Sequence, residues 1–554
     1  MNKSGSQLVR YALEQLNIQH TFGVLGAHNR DLYNALNEST SINTHLVNQE
    51  LSAAFMADAI SRTTQNNSIG AMLISADAII SQGIAEAFIS GVPLLIIAGS
   101  SDHQNCGIDS QQLLQPLTKA YLKITEHEEI VSTIFAAHQI AVSGKPGPVF
   151  IDIPIELQMQ DEELDQPLPV NLHAVNEGSL DQEHVDPKHI DHSAQKLFSA
   201  ENPAIYCGWK ATIAQPELIA LAEFLAAPVS NSLQGTSAFP AQHPLHAGLI
   251  VTPSAKRALK DCDALLLIGI ASHDGIDLDY AEADLPDNIM QLEPEAISAL
   301  LRKLQELHAN ANTNKEPNDN KDRVTAVTKT IAKYKNEQKE DWLEHNSKGR
   351  VNPAVFFDAL ANATNNDAIV VTGHGNHRTL AAELLPINNL RGFICPTSFN
   401  AAGYCVPAVN AIKLANPNQQ VVGIVGDGAM IINGLEALTA AREKLGTVYC
   451  LFNNSQPNTE KNLGHIHWDA FADALECGYF PIANNKGIDT ILRRALETAA
   501  QGQPVIIDVS IDYSRKSYYA QSEEKAAQER LPSRDTLEIV KRAIVRKIMG
   551  ARAN

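Results

Sequence analysis

The chain has 554 residues, which is too many for one hydrophobic core and predicts about three or four domains of roughly 150 residues. Its 44% hydrophobic and 19% charged residues are typical of a globular protein. The 43 basic and 63 acidic side chains give a formal charge of −20, which argues against a nucleic-acid-binding protein, although a local basic pocket could still hold a small anion.

The N-terminal segment MNKSGSQLVRYALEQLN has no continuous apolar core of the kind found in signal peptides, so we expect a cytoplasmic protein. Apolar runs such as GVPLLIIAG, at residues 91–99, fall short of the ~20 residues that span a bilayer, and no transmembrane segment is predicted. The seven cysteines are scattered and never form Cys-x-x-Cys, which predicts neither a disulfide framework nor a zinc site.

Short apolar runs alternate with helical patterns along the whole chain. The runs that predict strands are, in chain order, TFGVLG, SIGAMLIS, PLLIIAGSS and GPVFIDIP, then PAIYCG, PVSNSL and DALLLIGI, then AIVVTG, VVGIVGDG, TVYCLFNN and PVIIDVSI. This alternation is typical of the α/β class, and we expect three doubly wound parallel-sheet domains. Ligands of such sheets bind at the carboxyl ends of the strands.

Two segments read as linkers between these domains. Residues 158–192 are acidic, contain proline and lack periodicity, and residues 310–323, NANTNKEPNDNKDR, are polar. The predicted domains are therefore residues 1–165, 190–310 and 345–525, followed by a helical tail at 526–554. The tail has a basic amphipathic pattern that fits a membrane surface, but packing against the body or a neighbouring subunit is the preferred interpretation.

Polar residues follow two successive strands of the third domain. Asp427, between two glycines, comes after VVGIV, and Asn454 comes after VYCLF. Because neighbouring parallel strands end at the same edge of a sheet, we expect these two side chains to meet. A carboxylate and an amide oxygen suit Mg²⁺ or Ca²⁺, and the glycines let the backbone approach an anion such as a diphosphate. Alone, each fragment is more typical of a turn or a strand-end cap; their joint placement favours the metal site.

The Gly-Asp-Gly and Asn-Asn pair resembles the metal motif of the thiamine-diphosphate enzyme family. Other family-like segments occur in the family's order: FGVLGAHN, QELSAAFMADAISR, GIAEAFISGVPLLIIAGS, GKPGPVFIDIP, LQGTSAFPAQHPLHAGL and GNHRTLAAE. The chain is similar to the acetolactate synthase and 2-oxoacid decarboxylase branch, as a divergent member. The resemblance implies a pyrimidine-binding domain, a central domain and a diphosphate-binding domain, in that order.

The resemblance also implies roles for individual residues. Asp427, the Asn454 side chain and the Gln456 carbonyl match the metal ligands. Glu50 matches a glutamate that hydrogen-bonds the aminopyrimidine ring of the cofactor and so helps it become a base. The positions that match cofactor neighbours are Asn376, His377, Ala402, Gly426, Gly428, Ala429 and Met430. Without the resemblance, Glu50 would be interpreted as a solvated acid at a helix start and His377 as a structural histidine.

Several positions depart from the family pattern. Ala402 stands where relatives carry a large apolar residue that bends the cofactor, and Met430 or Tyr404 could replace that residue. A glycine- and asparagine-bearing loop that lies near the cofactor in relatives is replaced by SADAII, at residues 75–80, and Cys106 aligns with a glutamine of the synthases. Ala27 takes the place of a loop acid, and His28 or His103 could supply acid–base chemistry; an ordinary polar loop role is the alternative for both.

The resemblance implies a thiamine-diphosphate- and Mg²⁺-dependent decarboxylation of a 2-oxoacid, with ligation of the product to an acceptor. The alternatives are a catalytically silent homologue or partner subunit, and a carbon–carbon lyase that acts on a 2-hydroxyacyl-CoA. The family builds its sites between the first domain of one subunit and the third domain of another, so a homodimer or a dimer of dimers is implied. Some relatives bind FAD in the central domain, and the sequence does not decide whether this chain does.

Overall fold

The computed structural model describes residues 2–64, 68–75, 80–100, 109–163, 167–170, 186–271, 274, 277, 285–311, 319–397, 399–454 and 466–529. The predicted ligand Gln456, the loop residues 76–79, His103 and Cys106 lie outside these ranges, as does the tail beyond Glu529. No helix in the described ranges combines the length and the apolarity needed to cross a membrane.

The first domain is built on a six-stranded parallel sheet with the strand order β3-β2-β4-β5-β7-β6. The strands are β2 His20–Gly23, β3 Asn43–Leu46, β4 Gly70–Ser75, β5 Leu94–Ser100, β6 Ala120–Lys123 and β7 Pro148–Pro154. The helices are α1 Gly5–Gln15, α2 Arg30–Asn37, α3 Glu50–Thr63, α4 Ser81–Ser90, α5 Ser110–Leu114, α6 Ile130–Val142 and α7 Ile155–Met159. Two short strands, β1 Asn2–Ser4 and β8 Asp161–Glu163, form a separate antiparallel pair.

The central domain has a five-stranded parallel sheet with the order β11-β10-β9-β12-β13. The strands are β9 Pro203–Cys207, β10 Val229–Asn231, β11 His246–Leu249, β12 Ala264–Ile268 and β13 Asn288–Leu292. The helices are α8 Pro187–Ser199, α9 Gln215–Leu225, α10 Pro253–Ala258, α11 Ile297–Ala311 and the long α12 Asp319–Leu343.

The third domain repeats the topology of the first, with the strand order β15-β14-β16-β17-β19-β18. The strands are β14 Ile369–Thr372, β15 Phe393–Ile394, β16 Val421–Gly426, β17 Val448–Phe452, β18 Gly478–Ile482 and β19 Val505–Val509. The helices are α13 Pro353–Ala363, α14 Asn376–Leu384, α15 Cys405–Ala415, α16 Asp427–Asn433, α17 Ala437–Arg442, α18 Trp468–Ala474 and α19 Ile488–Ala499, and α20 Tyr518–Glu529 follows. The predicted fold class, three doubly wound parallel-sheet domains, is confirmed.

The sheets are buried on both faces, as doubly wound folds require. Along β4 the side chains of Met72 and Ile74 enter one apolar core, and those of Ala71 and Leu73 enter the other. The first of these cores continues into the third domain, where α3 packs against α15. The burial of both faces explains why the strands in the middle of each sheet consist of nearly continuous apolar residues.

The chain forms two compact units. One contains Met1–Asp186 and Trp342–Asp512, and thus both six-stranded sheets; the other contains Pro187–Asp341 and the described residues from Tyr513 onward. The predicted boundaries near residues 165, 190, 310, 345 and 525 cut none of the strands in the three sheets. As domain limits they stay predictions.

Candidate functional site

The carboxyl ends of β16 and β17 bring Asp427 and Asn454 together. The strands pair in parallel with Gly426 beside Phe452, so both chains leave the sheet at the same edge. The Asn454 backbone N–H donates to Asp427 Oδ2 at 3.3 Å, and the Gly428 N–H donates to Asp427 Oδ1 at 2.9 Å. The Asn454 backbone thus reaches the Asp427 carboxylate at this edge, while the meeting of the two side chains and their role as metal ligands stay predictions.

The surroundings of Asp427 suit a hard cation and an anion. Asp427 and Gly428 are half-buried and Asn454 is exposed, so the carboxylate is reachable from solvent. A Cβ added to Gly428 would meet no heavy atom within 4 Å, which leaves space beside the start of α16. Ala429 is half-buried in the same first turn, whereas Met430 is fully buried. The donor set fits Mg²⁺ with a diphosphate.

A second wall of this edge is formed by His377, in the first turn of α14. Its strand, β14, pairs with β16 on the side opposite to β17. The imidazole is 3% exposed, and a Cβ on Gly426 would lie 3.1 Å from its Cε1, so the ring packs on the backbone just before Asp427. Asn376, the preceding residue, is exposed at the helix start.

The electrostatics of His377 follow from this burial. Desolvation, followed by the nearby Arg378 and His374, lowers the pKa of His377 to about 3, so the ring is neutral near pH 7. Its Nε2 atom is buried and has no hydrogen-bond partner among the described residues. A buried polar atom without a partner costs free energy, and a phosphate oxygen would satisfy it if Nε2 carries the proton.

Glu50 is the first residue of α3 and is half-buried. Burial, and secondarily the Glu50 carboxylate, raise the pKa of the Tyr33 phenol, which places the two groups near one another. The Asn48 amide donates to the Leu435 carbonyl at 2.8 Å, and the Gln49 amide donates to Asn433 at the end of α16. The start of α3 therefore lies against the far end of the helix that begins with Asp427.

His28 lies in a turn whose backbone is firmly held. The buried side chain of Asn29 accepts from the Gly26 N–H at 2.8 Å and donates to the Val24 carbonyl at 3.0 Å. The Gln158 amide donates to the His28 carbonyl at 3.0 Å, and the His28 side chain is half-buried. These hydrogen bonds fix the position of the His28 backbone. They do not test the proposed acid–base role of its side chain.

The segment around Ala402 packs against α16. Gly403 has φ of +83°, a left-handed conformation that favours glycine, and Asn433 donates to its carbonyl at 3.1 Å. Ala402 is half-buried, and Gln82 donates to its carbonyl at 3.4 Å. Tyr404 is fully buried and its phenol donates to Asp58 Oδ2 at 2.7 Å. Tyr404 is thus committed to the contact between the domains, and Met430, the other candidate for the missing apolar residue, is fully buried as well.

The sequence reasoning missed a buried ionic network that holds α3 against the third domain. Arg62 donates to Asp58 at 2.6 Å and to Glu86 at 3.3 Å, and all three side chains are at most 2% exposed. Glu86 in turn accepts from the Thr397 N–H at 2.7 Å. The signal was present as an acid and an arginine four residues apart within the otherwise apolar segment ELSAAFMADAISR. The network fixes the orientation of the helix that begins with Glu50.

Comparison with known proteins agrees with this architecture. Residues 3–122 match the description "Thiamine pyrophosphate enzyme, N-terminal TPP binding domain", residues 190–305 match the central domain, and residues 373–509 match the C-terminal TPP binding domain. A probable acetolactate synthase large subunit of Methanocaldococcus jannaschii is 26% identical, over 92% of each chain. The acetolactate synthase large subunit of Buchnera aphidicola subsp. Acyrthosiphon pisum is also 26% identical, and isozyme 3 of Escherichia coli is 24% identical, each over 93% of this chain and 96% of the relative. The chain is therefore an enzyme of the thiamine pyrophosphate family, in the branch that includes the acetolactate synthase large subunits.

Proposed function

We propose that this enzyme uses thiamine diphosphate and Mg²⁺ to decarboxylate a 2-oxoacid and to join the product to an acceptor, as an acetolactate synthase does. The observation that carries the proposal is the meeting of Asp427 and Asn454 at the carboxyl edge of the third sheet. The names of the relatives that align over nearly the whole chain support the synthase-like reaction.

The residues at this edge would bind different parts of the cofactor and its cation. Asp427 and Asn454 would hold the cation, with the Gln456 carbonyl as the third predicted ligand. Gly426, Gly428 and Ala429 would let the diphosphate approach the start of α16, while His377 and Asn376 would donate hydrogen bonds to it. When bound, thiamine diphosphate supplies a carbon nucleophile and an electron sink.

The first domain would supply the proton chemistry. Glu50 would hydrogen-bond the aminopyrimidine ring and set its protonation state, since a half-buried carboxyl group at a helix start can reach such a ring. His28 would hold or release a proton at the substrate. Ala402 and Met430 would line the apolar part of the cofactor site, and the change at position 402 is compatible with an acceptor or donor different from that of the relatives.

The test is cofactor-dependent CO₂ release across a panel of 2-oxoacids, with and without Mg²⁺. We expect Glu50→Gln to lower kcat/KM by about 100-fold or more, because a positioned proton-transfer group contributes about that much. Asp427→Ala should abolish stabilisation of the protein by thiamine diphosphate with Mg²⁺. Glu128→Gln, a substitution at an exposed position of the same domain, is the matched control and should behave as wild type. Unchanged turnover in Glu50→Gln would exclude its assigned role.

The same experiment separates the alternatives. A silent homologue would be stabilised by the cofactor but would neither release CO₂ nor exchange the cofactor's C2 proton, which NMR measures. A lyase would cleave a 2-hydroxyacyl thioester. The homodimer or dimer of dimers, with sites shared between subunits, belongs to the proposal through the family resemblance. The cytoplasmic location stays an expectation.

A further inference from the structure

A cleft of about 380 Å³ lies between the first and third domains, within the same compact unit. Its described lining includes Asn17, Gln19, Ser68, Ile369, Arg391 and Gln419. This volume is within the range of ~300–1,000 Å³ that is usual for small-molecule sites. The cleft is therefore large enough for a small metabolite.

The cleft is distinct from the candidate active site, because it lies at the opposite edge of both sheets. Gln19 directly precedes β2, Ile369 begins β14, and Gln419 comes shortly before β16. Asp427 and His377 follow the carboxyl ends of β16 and β14. With six residues in β16 and ~3.3 Å per residue, the two edges are roughly 20 Å apart.

The described lining of the cleft carries positive charge, whereas the whole protein is acidic. Arg391 is the one charged side chain among the described lining residues, in a chain with a formal charge of −20. One of its terminal nitrogens donates to the Thr64 carbonyl at 2.9 Å, which caps the end of α3. That contact leaves the buried Nε atom without a hydrogen-bond partner in the part of the chain that the structure describes.

A second donor in the cleft is also unpaired. Ser68 is 6% exposed, and its buried hydroxyl has no hydrogen-bond partner among the described residues. Buried polar groups in folded proteins are paired in the great majority of cases, so two unpaired donors in one cleft need an explanation. The capping of α3 accounts for one terminal nitrogen of Arg391, but it does not account for the unpaired hydroxyl of Ser68.

The backbone of Arg391 is held in a conformation that arginine rarely adopts. Its φ is +53°, in the left-handed region, and Asn17 across the cleft also has φ of +53°. For a residue with a long side chain this conformation costs free energy, and such residues concentrate at ligand sites. The following residue, Gly392, donates from its N–H to the Asn389 carbonyl at 3.1 Å, so a tight turn fixes Arg391 in place.

We propose that this cleft binds a small metabolite through a carboxylate or phosphate group, with the guanidinium of Arg391 as its charge partner and the Ser68 hydroxyl as a second donor. Arginine remains protonated and offers donors in a planar fork that matches two oxygens of either group. The ligand would contact both domains at once, and it would therefore stabilise their association by binding only the folded unit. The inference does not depend on the reaction at the other edge.

The test is isothermal titration of the full-length protein with inorganic phosphate and, separately, with succinate, at constant ionic strength. We expect at least one of the two anions to bind, and the preferred one identifies the chemical class of the ligand. Arg391→Gln should weaken binding about tenfold or more, Ser68→Ala should weaken it several-fold, and Arg391→Lys should retain part of the affinity. Arg493→Gln, at an exposed arginine in α19, is the matched control and should leave binding unchanged.

Phosphate could also bind beside His377, so the titration is repeated with His377→Gln. We expect the His377→Gln variant to bind the anion at the cleft with wild-type affinity. Loss of binding in His377→Gln together with full binding in Arg391→Gln would overturn the proposal, and so would the absence of binding by both anions. If Arg391→Gln fails to fold, Ser68→Ala and Arg391→Lys decide the question, because wild-type affinity in both would contradict the assigned donors.

Discussion

Single buried histidines contribute to how the stability of this protein should respond to acid. Burial is the largest cause that lowers the pKa of His377 to about 3, and burial likewise lowers the pKa values of His20 and His138 to about 4. In the unfolded chain these rings have a pKa near ~6.5. The folded protein therefore keeps them neutral in a range of pH where the unfolded chain takes up protons.

We expect the free energy of unfolding to fall as the pH is lowered from about 6.5 to about 4. The stability falls because these histidines have a lower pKa in the folded state than in the unfolded state. Their contribution to stability is complete above the unfolded pKa and is lost as the pH falls toward the folded pKa. For His377 alone the loss is roughly 3 kcal/mol at about pH 4. Urea unfolding of the cofactor-free protein at a series of pH values measures it.

The variant His377→Gln isolates the contribution of one ring. Glutamine does not titrate, so the pH dependence of unfolding should be flatter than in wild type, whereas His192→Gln, at an exposed position, should leave it unchanged. Equal pH dependence in wild type and His377→Gln would show that His377 is not held neutral in the fold. This readout is independent of catalysis.

At the scale of elements, the sequence predicted the interior strands of each sheet but not the strands at the sheet edges. All eleven strands predicted from apolar runs exist, and in each of the three sheets they occupy the interior positions. The six strands at the sheet edges, β3, β6, β11, β13, β15 and β18, were not predicted. Edge strands such as Asn43–Leu46 carry polar or exposed residues, because they are not enclosed by neighbouring strands on both sides.

The same reasoning explains which parts of the site were predictable. Asp427 and Asn454 follow neighbouring parallel strands, so topology alone brings them together. The contact between the start of α3 and the end of α16 depends on how two domains pack. The four-residue spacing of Asp58 and Arg62 indicates an ion pair within α3, but it does not indicate the link to Thr397 of the third domain. The cleft around Arg391 draws its lining from segments scattered between residues 17 and 419, and no short motif could reveal it.

The carboxyl ends of the central-domain strands indicate whether this domain can bind FAD. Asp274 Oδ2 accepts from the Ala271 N–H at 2.9 Å and from the Trp209 N–H at 3.3 Å, and Asp277 Oδ2 accepts from the Leu233 N–H at 2.6 Å. Both acids are at most 4% exposed. Backbone N–H groups at this edge of a doubly wound sheet are the ones that bind the pyrophosphate of a dinucleotide.

We therefore expect the purified protein to contain no flavin. The carboxylates of Asp274 and Asp277 already accept hydrogen bonds from those backbone N–H groups, and their negative charge would repel a pyrophosphate. The visible absorption spectrum of the supernatant after denaturation measures bound flavin directly. Added FAD should leave the thermal unfolding temperature unchanged, while thiamine diphosphate with Mg²⁺ should raise it. Recovery of one flavin per chain would contradict the interpretation of Asp274 and Asp277.

At the scale of the whole molecule, several exposed apolar side chains lie in segments near the candidate active site. Six large apolar residues that are 41–60% exposed lie in segments that adjoin it: Leu25, Leu46, Phe399, Ile431, Ile432 and Leu435. A hydrogen bond ties two of these segments together, since the side-chain amide of Asn48, near the end of β3, donates to the Leu435 carbonyl at 2.8 Å. Isolated exposed apolar residues are normal on proteins, but a group around one edge indicates an interaction surface.

We expect this surface to pair two copies of the chain, in agreement with the homodimer that the family resemblance implies. Burying about 800 Å² per subunit is typical of a specific interface, and a charge placed within it would be desolvated without a partner. Leu435→Asp, at the most exposed of the six positions, should shift the protein from dimer toward monomer. If the sites are shared between subunits, 2-oxoacid turnover should fall together with the dimer fraction.

Size-exclusion chromatography with light scattering, over a range of protein concentrations, measures this equilibrium. Ile213→Asp is the matched control, because Ile213 is 48% exposed in the central domain and far in sequence from the six residues. It should leave the mass and the turnover at wild-type values. A wild-type protein that is monomeric at every concentration would rule out the dimer. A Leu435→Asp variant that dimerises normally would mean that the two copies meet elsewhere, and the exposed apolar residues would then be left for substrate and cofactor alone.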